Sequence, residues 1–170
     1  MFEKTLVAGW RDMDYNSHMA NTAYLDRAAD VRMMYFSENG FSVEDMLRQR
    51  IGPVIMKDEI EYYREVKLLQ EIRVGLTCAG LAPDGSRFML RNDFAHADGT
   101  RCASVTSTGG WLDLNQRKLI APPEALRKAM EALPKVEGFR ELKSSVILRP
   151  AATTENGGQG PPSVKAFETF

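Results

Sequence analysis

The spacing of apolar and polar residues changes twice along this chain, and those changes divide it into elements. Residues 4–10 read as a short strand, followed by a polar turn rich in Asp, Asn and His. From residue 21 to 37 the spacing becomes helical, with Leu25, Ala28, Ala29, Arg32, Met33 and Phe36 recurring at three- and four-residue steps. Asn39-Gly40 ends this helix. Ser42, with Asp45 three residues on, predicts a capped short helix over residues 42–49, and Gly52-Pro53 reads as a break.

Beyond that break the period is two. Val54, Met56, Ile60, Tyr62 and Val66 fall on one strand face, opposite Lys57, Glu59, Glu61 and Glu65. Ile72, Val74, Leu76 and Cys78 make the next alternating run, and Pro83-Asp84-Gly85 turns it into a third through Phe88, Leu90, Asn92 and Phe94. Ala97-Asp98-Gly99 is a second hairpin turn. Residues 101–114 form the last long strand, where Gly109-Gly110 marks a bulge or kink. Pro122-Pro123 then precedes a helix over about residues 124–133. A sheet with one apolar face needs a cover, and the long helix is the natural one. The predicted class is α+β: a curved antiparallel sheet wrapped around a long central helix. Residues 1–135 form that domain, and residues 136–170 are a C-terminal extension. Residues 151–162, rich in Gly, Pro, Thr and Asn without periodicity, read as a flexible tail.

Composition narrows the function. The 170 residues suit one domain with a real core, and a net charge of −1 gives no bias toward nucleic acid or an anionic membrane. No apolar run is long enough to span a bilayer. Cys78 and Cys102 sit in separate apolar patterns and provide neither a disulfide framework nor metal-ligand spacing, so they read as buried free thiols. With an N-terminus that lacks the charged-then-apolar order of a signal peptide, this predicts a cytoplasmic protein.

Candidate chemistry concentrates between residues 10 and 32. Asp12, Asp14, Asn16 and His18 alternate with other residues, and Asn21 opens the helical pattern. One of only two histidines thus stands beside a carboxylate at a helix N-terminus, where free N–H groups and the helix dipole favour negative charge. A calcium loop starting at Asp12 needs Gly at its sixth position and Glu at its twelfth, which hold Ser17 and Ala23 instead. No zinc-ligand set and no Gly-x-Ser-x-Gly nucleophile motif occurs in the segment. From residue types alone, Asp14, Asn16 and Ser17 read equally as turn and cap residues or as part of a site.

The run Asp14-Tyr15-Asn16-Ser17-His18-Met19-Ala20-Asn21-Thr22-Ala23-Tyr24 resembles the Asp-x-Asn-x-His-x-Asn-Asn-x-x-Tyr signature of hotdog-fold acyl-CoA thioesterases of the 4-hydroxybenzoyl-CoA thioesterase-like family. Ile60-Glu61-Tyr62, leading into Val66-Lys67, resembles the strand after the central helix in that family, and the similarity covers about residues 6–133. Ala20 departs from it, standing where the motif has the first Asn of a pair. The resemblance implies hydrolysis of an acyl-CoA thioester to free acid and CoA. It makes Asp14 the catalytic carboxylate, as nucleophile or general base, and the backbone N–H of Asn21 the oxyanion donor. His18 is then chiefly a positioning group that fixes the turn through the backbone. Asn16 and Tyr24 are candidate substrate-binding residues, and Asp12 is a turn or surface residue.

Met33, Met34, Tyr35, Phe36, Val54 and Met56 are candidates for an acyl groove, although ordinary core packing accounts for each. The resemblance also implies a homodimer or homotetramer, and no metal or redox cofactor, since thioester hydrolysis needs neither. The alternative is a non-catalytic acyl-thioester or lipid-binding domain of the same fold. A hydratase needs an Asp/His pairing on the central helix, and residues 21–37 contain none.

Overall fold

The computed structural model describes residues 2–146. The chain runs β1 (Phe2–Val7), a 3-10 turn (Trp10–Asp12), α1 (Asn21–Glu38), α2 (Val43–Gln49), β2 (Ile51–Tyr62), β3 (Glu71–Leu81), β4 (Arg87–His96), β5 (Arg101–Asp113), β6 (Lys118–Ile120), α3 (Glu124–Ala132) and β7 (Lys135–Glu141). The strands form one sheet in the order β1-β3-β4-β5-β2, with β6 added beside β5 and β7 beside β3. Every pairing is antiparallel except that of β7 with β3. The class is α+β.

The alternating strands bury the side chains that their period marks. Ile72, Val74, Leu76 and Cys78 of β3 meet Phe88, Leu90 and Phe94 of β4 and Val105 and Trp111 of β5 in one core. α1 covers this face with Ala23, Tyr24, Ala28, Val31, Tyr35 and Phe36, whereas Ala29, which the helical spacing includes, is exposed. The Phe36 ring meets Trp111 edge-on at 5.6 Å, and the Tyr35 hydroxyl donates to the Ala129 carbonyl of α3 at 2.8 Å. Both residues therefore belong to the core rather than to an acyl groove. Asn39 and Gly40 (φ +87°) close α1, and Ser42 caps α2 with Asp45 in a reciprocal box, both as their sequence predicts.

Three expectations need correction. Gly52-Pro53 does not break the chain but lies within β2, an edge strand on which proline's missing N–H can face away from the ladder. The irregularity expected at Gly109-Gly110 sits in the partner strand, where a bulge lies between Ile55 and Lys57. That extra residue reverses the alternation, so Ile55 faces Gly109 while Val54 faces Gly110. Val54 therefore does not share a face with Ile60 and Tyr62. Glycine is required at 109, because a Cβ there would collide with the Val54 carbonyl and come within 2.9 Å of the Phe88 ring. Finally, Val66 is buried but lies beyond the end of β2.

The sheet also extends past α3. β7 starts at Lys135, and the Leu142 N–H donates to the Leu81 carbonyl at 3.1 Å, so residues just after 135 continue the sheet. The tail over residues 151–162 lies outside the described residues.

Candidate active site

The turn between the 3-10 segment and α1 is a small hairpin closed by a bridge between Met13 and Met19. The Asp14 N–H donates to the His18 carbonyl at 2.8 Å, and the Ser17 N–H donates to the Asp14 carbonyl at 3.1 Å. Ser17 makes this tight turn in the left-handed region, at φ 63°. The Asp14 carboxylate folds back over the turn, its Oδ1 accepting from the Asn16 N–H at 2.8 Å and the His18 N–H at 3.4 Å. Two longer-range bonds dock the hairpin: the Met19 N–H donates to the Val66 carbonyl at 2.8 Å, and the Ala20 N–H donates to the Asp12 carbonyl at 2.7 Å. This docking gives Val66 its role.

Asp12 and Asp14 stand two residues apart in opposite environments. Asp12 is buried, accepting on Oδ2 from the Gly9 N–H at 2.7 Å and from Arg27 Nη2 at 2.8 Å. The hydrogen bond from Asp12 is the largest influence raising the Arg27 pKa above its ordinary value. Asp12 is thus a turn residue, as expected, but an interior one that ties the turn to α1. Asp14 instead borders an open cavity of about 430 Å³, shared with His18, Asn21, Tyr24, Tyr62 and Glu65 among others.

α1 begins at this cavity, with Ala20 as its N-cap and no cap side chain bonding its first N–H groups, although the Ala23 N–H donates to the Ala20 carbonyl at 3.0 Å. Serine, threonine, aspartate or asparagine at that position normally satisfies one of them. Here the amide-rich, electropositive end of the helix stays unoccupied by its own cap. The Tyr24 ring sits one turn further in, edge-on to Phe94 (5.2 Å) and to Tyr62 (5.5 Å). Burial, with smaller contributions from Cys102 and Tyr62, pushes its phenol up to about 12, so it is a neutral group at physiological pH.

The cavity unites four of the five residues that the sequence marks: Asp14, His18, Asn21 and Tyr24. Asn16 is not among its walls; it is exposed at the hairpin tip and contributes its backbone N–H to Asp14. Among the described residues the His18 side chain makes no bond to the backbone, contrary to expectation, but meets a carboxylate. Its Nε2 lies 2.7 Å from Glu65 Oε2, and Lys67 Nζ is 3.2 Å from Glu65 Oε1. Sequence reasoning missed Glu65, since its period in the strand pattern only marks it as outward-facing. Tyr62, Tyr63 and Arg64 also line the cavity. A carboxylate and an uncapped helix start around one cavity can act on a carbonyl from two sides, one delivering or activating a nucleophile and the other stabilising the oxyanion.

A family model for the thioesterase-like superfamily matches residues 8–130, and the chain belongs to that superfamily. No curated protein matches it in sequence. Its fold is shared by solved structures, hotdog thioesterases among them. The hypothetical protein SAV2348 from Staphylococcus aureus, solved in complex with CoA, is 18% identical with a TM-score of 0.71, the match covering 89% of this chain and 94% of that one. The probable thioesterase YbaW from Escherichia coli is 22% identical, TM-score 0.65, over 78% of this chain and 98% of its own. Slr0204 from Synechocystis, a 1,4-dihydroxy-2-naphthoyl-CoA thioesterase, is 15% identical, TM-score 0.69, over 78% and 96%. Among the described residues, no helix is long and apolar enough to cross a membrane.

Proposed function

We propose that the protein hydrolyses an acyl-CoA thioester to the free acid and CoA. The observation that carries this is the shared cavity: the Asp14 carboxylate and the uncapped start of α1 border the same space. The thioester carbonyl oxygen accepts from the Asn21 N–H, and the helix dipole stabilises the charge that develops there. Asp14 works in one of two ways. As nucleophile, it bonds to the carbonyl carbon, the C–S bond breaks to release CoA as thiolate, and water then hydrolyses the mixed anhydride. As general base, it takes a proton from water, the hydroxide adds to the carbon, and the departing sulfur recovers the proton. The turn bonds from Asn16 and His18 to Asp14 Oδ1 hold the carboxylate in place for either role.

His18, braced by Glu65, positions the wall of the cavity, and Tyr24 offers an apolar ring with a neutral hydroxyl to the acyl group. The sheet wrapped around α1 frames the acyl groove. The edge of β2 pairs with a second copy, giving a homodimer or a tetramer of dimers. In support, β2 is a long edge strand that exposes Ile55, Met56 and Tyr62, and such edges are normally covered. The test is thiol release from a panel of acyl-CoA thioesters, with light scattering for assembly. Catalytic turnover of at least one thioester by a protein whose scattering mass is that of a dimer or larger supports the proposal. Saturable binding without turnover identifies a binding domain instead.

A further inference from the structure

Arg32 is a charged residue on the apolar face of α1, buried to 7% exposure. Its Nε donates to Asn92 Oδ1 at 2.8 Å, and the Asn92 Nδ2 donates in turn to the Gly75 carbonyl at 3.0 Å, so Asn92 is committed as a fixed bracket. Nη2 of Arg32 is buried and has no hydrogen-bond partner among the described residues. Asp58 is the charge that acts on it, but among the described residues the two form no ion pair, and the Ser107 hydroxyl donates to the Asp58 carboxylate. A buried guanidinium without a paired anion is costly, and an apolar side chain of similar length would fill the space without that cost.

The register places this group relative to the cavity. Tyr62 and Phe94 both pair with Ala103, and this rung carries the Tyr24 ring. One rung deeper, Ile60 and Asn92 both pair with Val105, and this rung holds the Arg32 guanidinium. Ala28, the α1 residue between Tyr24 and Arg32, is small. Arg32 lies about 16 Å along α1 from Asn21, and an arginine side chain leaning back toward the helix N-terminus brings its guanidinium to on the order of 10 Å from the helix start.

We propose that Arg32 is the distal anchor of the acyl site and that the acyl group carries a carboxylate at its far end, as in a dicarboxylic acid joined to CoA through one thioester. This rests on the thioesterase reading above. Guanidinium donors match carboxylate oxygens in geometry and charge, and Nη2 supplies the unused donor. At roughly 1.2 Å per extended bond, a chain of about eight carbons spans the distance.

The test compares suberoyl-CoA with octanoyl-CoA, equal in carbon number and differing in the terminal carboxylate. Wild-type protein is expected to favour suberoyl-CoA in kcat/KM by ten- to a hundredfold, the range of one charge-assisted hydrogen bond. Arg32→Met removes that preference through KM, and Arg32→Lys, which keeps the charge, restores part of it. Calorimetric titration of wild-type protein with the two matching CoA thioethers, which cannot be hydrolysed, reads the same preference without turnover. Tight carboxyl-ended thioether binding with no hydrolysis of either thioester keeps the anchor and rejects the hydrolase. Hydrolysis with equal or better use of octanoyl-CoA keeps the hydrolase and overturns the anchor. If Arg32→Met does not fold, the wild-type comparisons decide alone. If it folds but dissociates the oligomer with no change in acyl preference, Arg32 serves the subunit interface and the proposal falls.

Discussion

Replacing Asp12 by alanine should weaken the fold strongly while leaving the chemistry in place. The carboxylate makes two charge-assisted bonds from an interior position, to the Gly9 N–H and to Arg27. Its side chain is 9% exposed and that of Arg27 is 29%, so the pair is mostly but not wholly shielded from water. Breaking a buried pair costs about 3–5 kcal/mol, and the partial access of Arg27 to water points to the low end, about 3 kcal/mol. For a chain of this size, that lowers Tm by about 6–12 °C. Thermal and urea unfolding measure the loss, and a double-mutant cycle with Arg27→Met isolates the pair, with an expected coupling of about 1–3 kcal/mol. Below its melting temperature, the Asp12→Ala protein should keep kcat within a few-fold of wild type, since Asp12 is not among the walls of the cavity. A stability loss under about 1 kcal/mol would refute the assignment of Asp12 as the tie between turn and helix.

Two further predictions concern the core and the site. Gly109→Ala forces a Cβ onto the Val54 carbonyl and the Phe88 ring, so the urea midpoint should fall by the equivalent of about 2–3 kcal/mol or more; a loss under about 0.5 kcal/mol contradicts the close approach of β2 and β5. Tyr24, with its phenol raised from 10.0 to about 12, contributes stability that is complete below pH 10 and is lost as pH rises toward 12. An ultraviolet phenolate titration should show a late component near pH 12 that Tyr24→Phe removes, and a titration unchanged by that substitution refutes the buried environment.

The architecture was legible where period alone decides. α1, the capped α2 and the β3–β5 meander follow from side chains that repeat along their own element, and the Asp14–Tyr24 motif marks the cavity. What escaped depends on partners far away in the chain. The bulge at Met56 is a property of two strands meeting, and it adjoins the close approach of Gly109 to the Val54 carbonyl. β7 hides its strand character because Gly138, at φ +80°, spaces its partly buried Val136 and Phe139 three residues apart instead of two. The His18–Glu65 contact joins two polar segments whose local pattern says only that they face outward. Arg32 did carry a signal: a charge falling on the apolar stripe of a helix is out of place unless something receives it.

The most direct measurement of the central claim is the rate of thiol release by Asp14→Asn, on whichever acyl-CoA the wild-type protein turns over best. The substitution keeps the side chain's shape and its acceptor oxygen for the Asn16 N–H, so melting should move little. The account predicts a fall in kcat of at least about a hundredfold with an unchanged fold. A variant that retains full activity would contradict it, since the acid that shares the cavity with the start of α1 would then have no part in breaking the thioester.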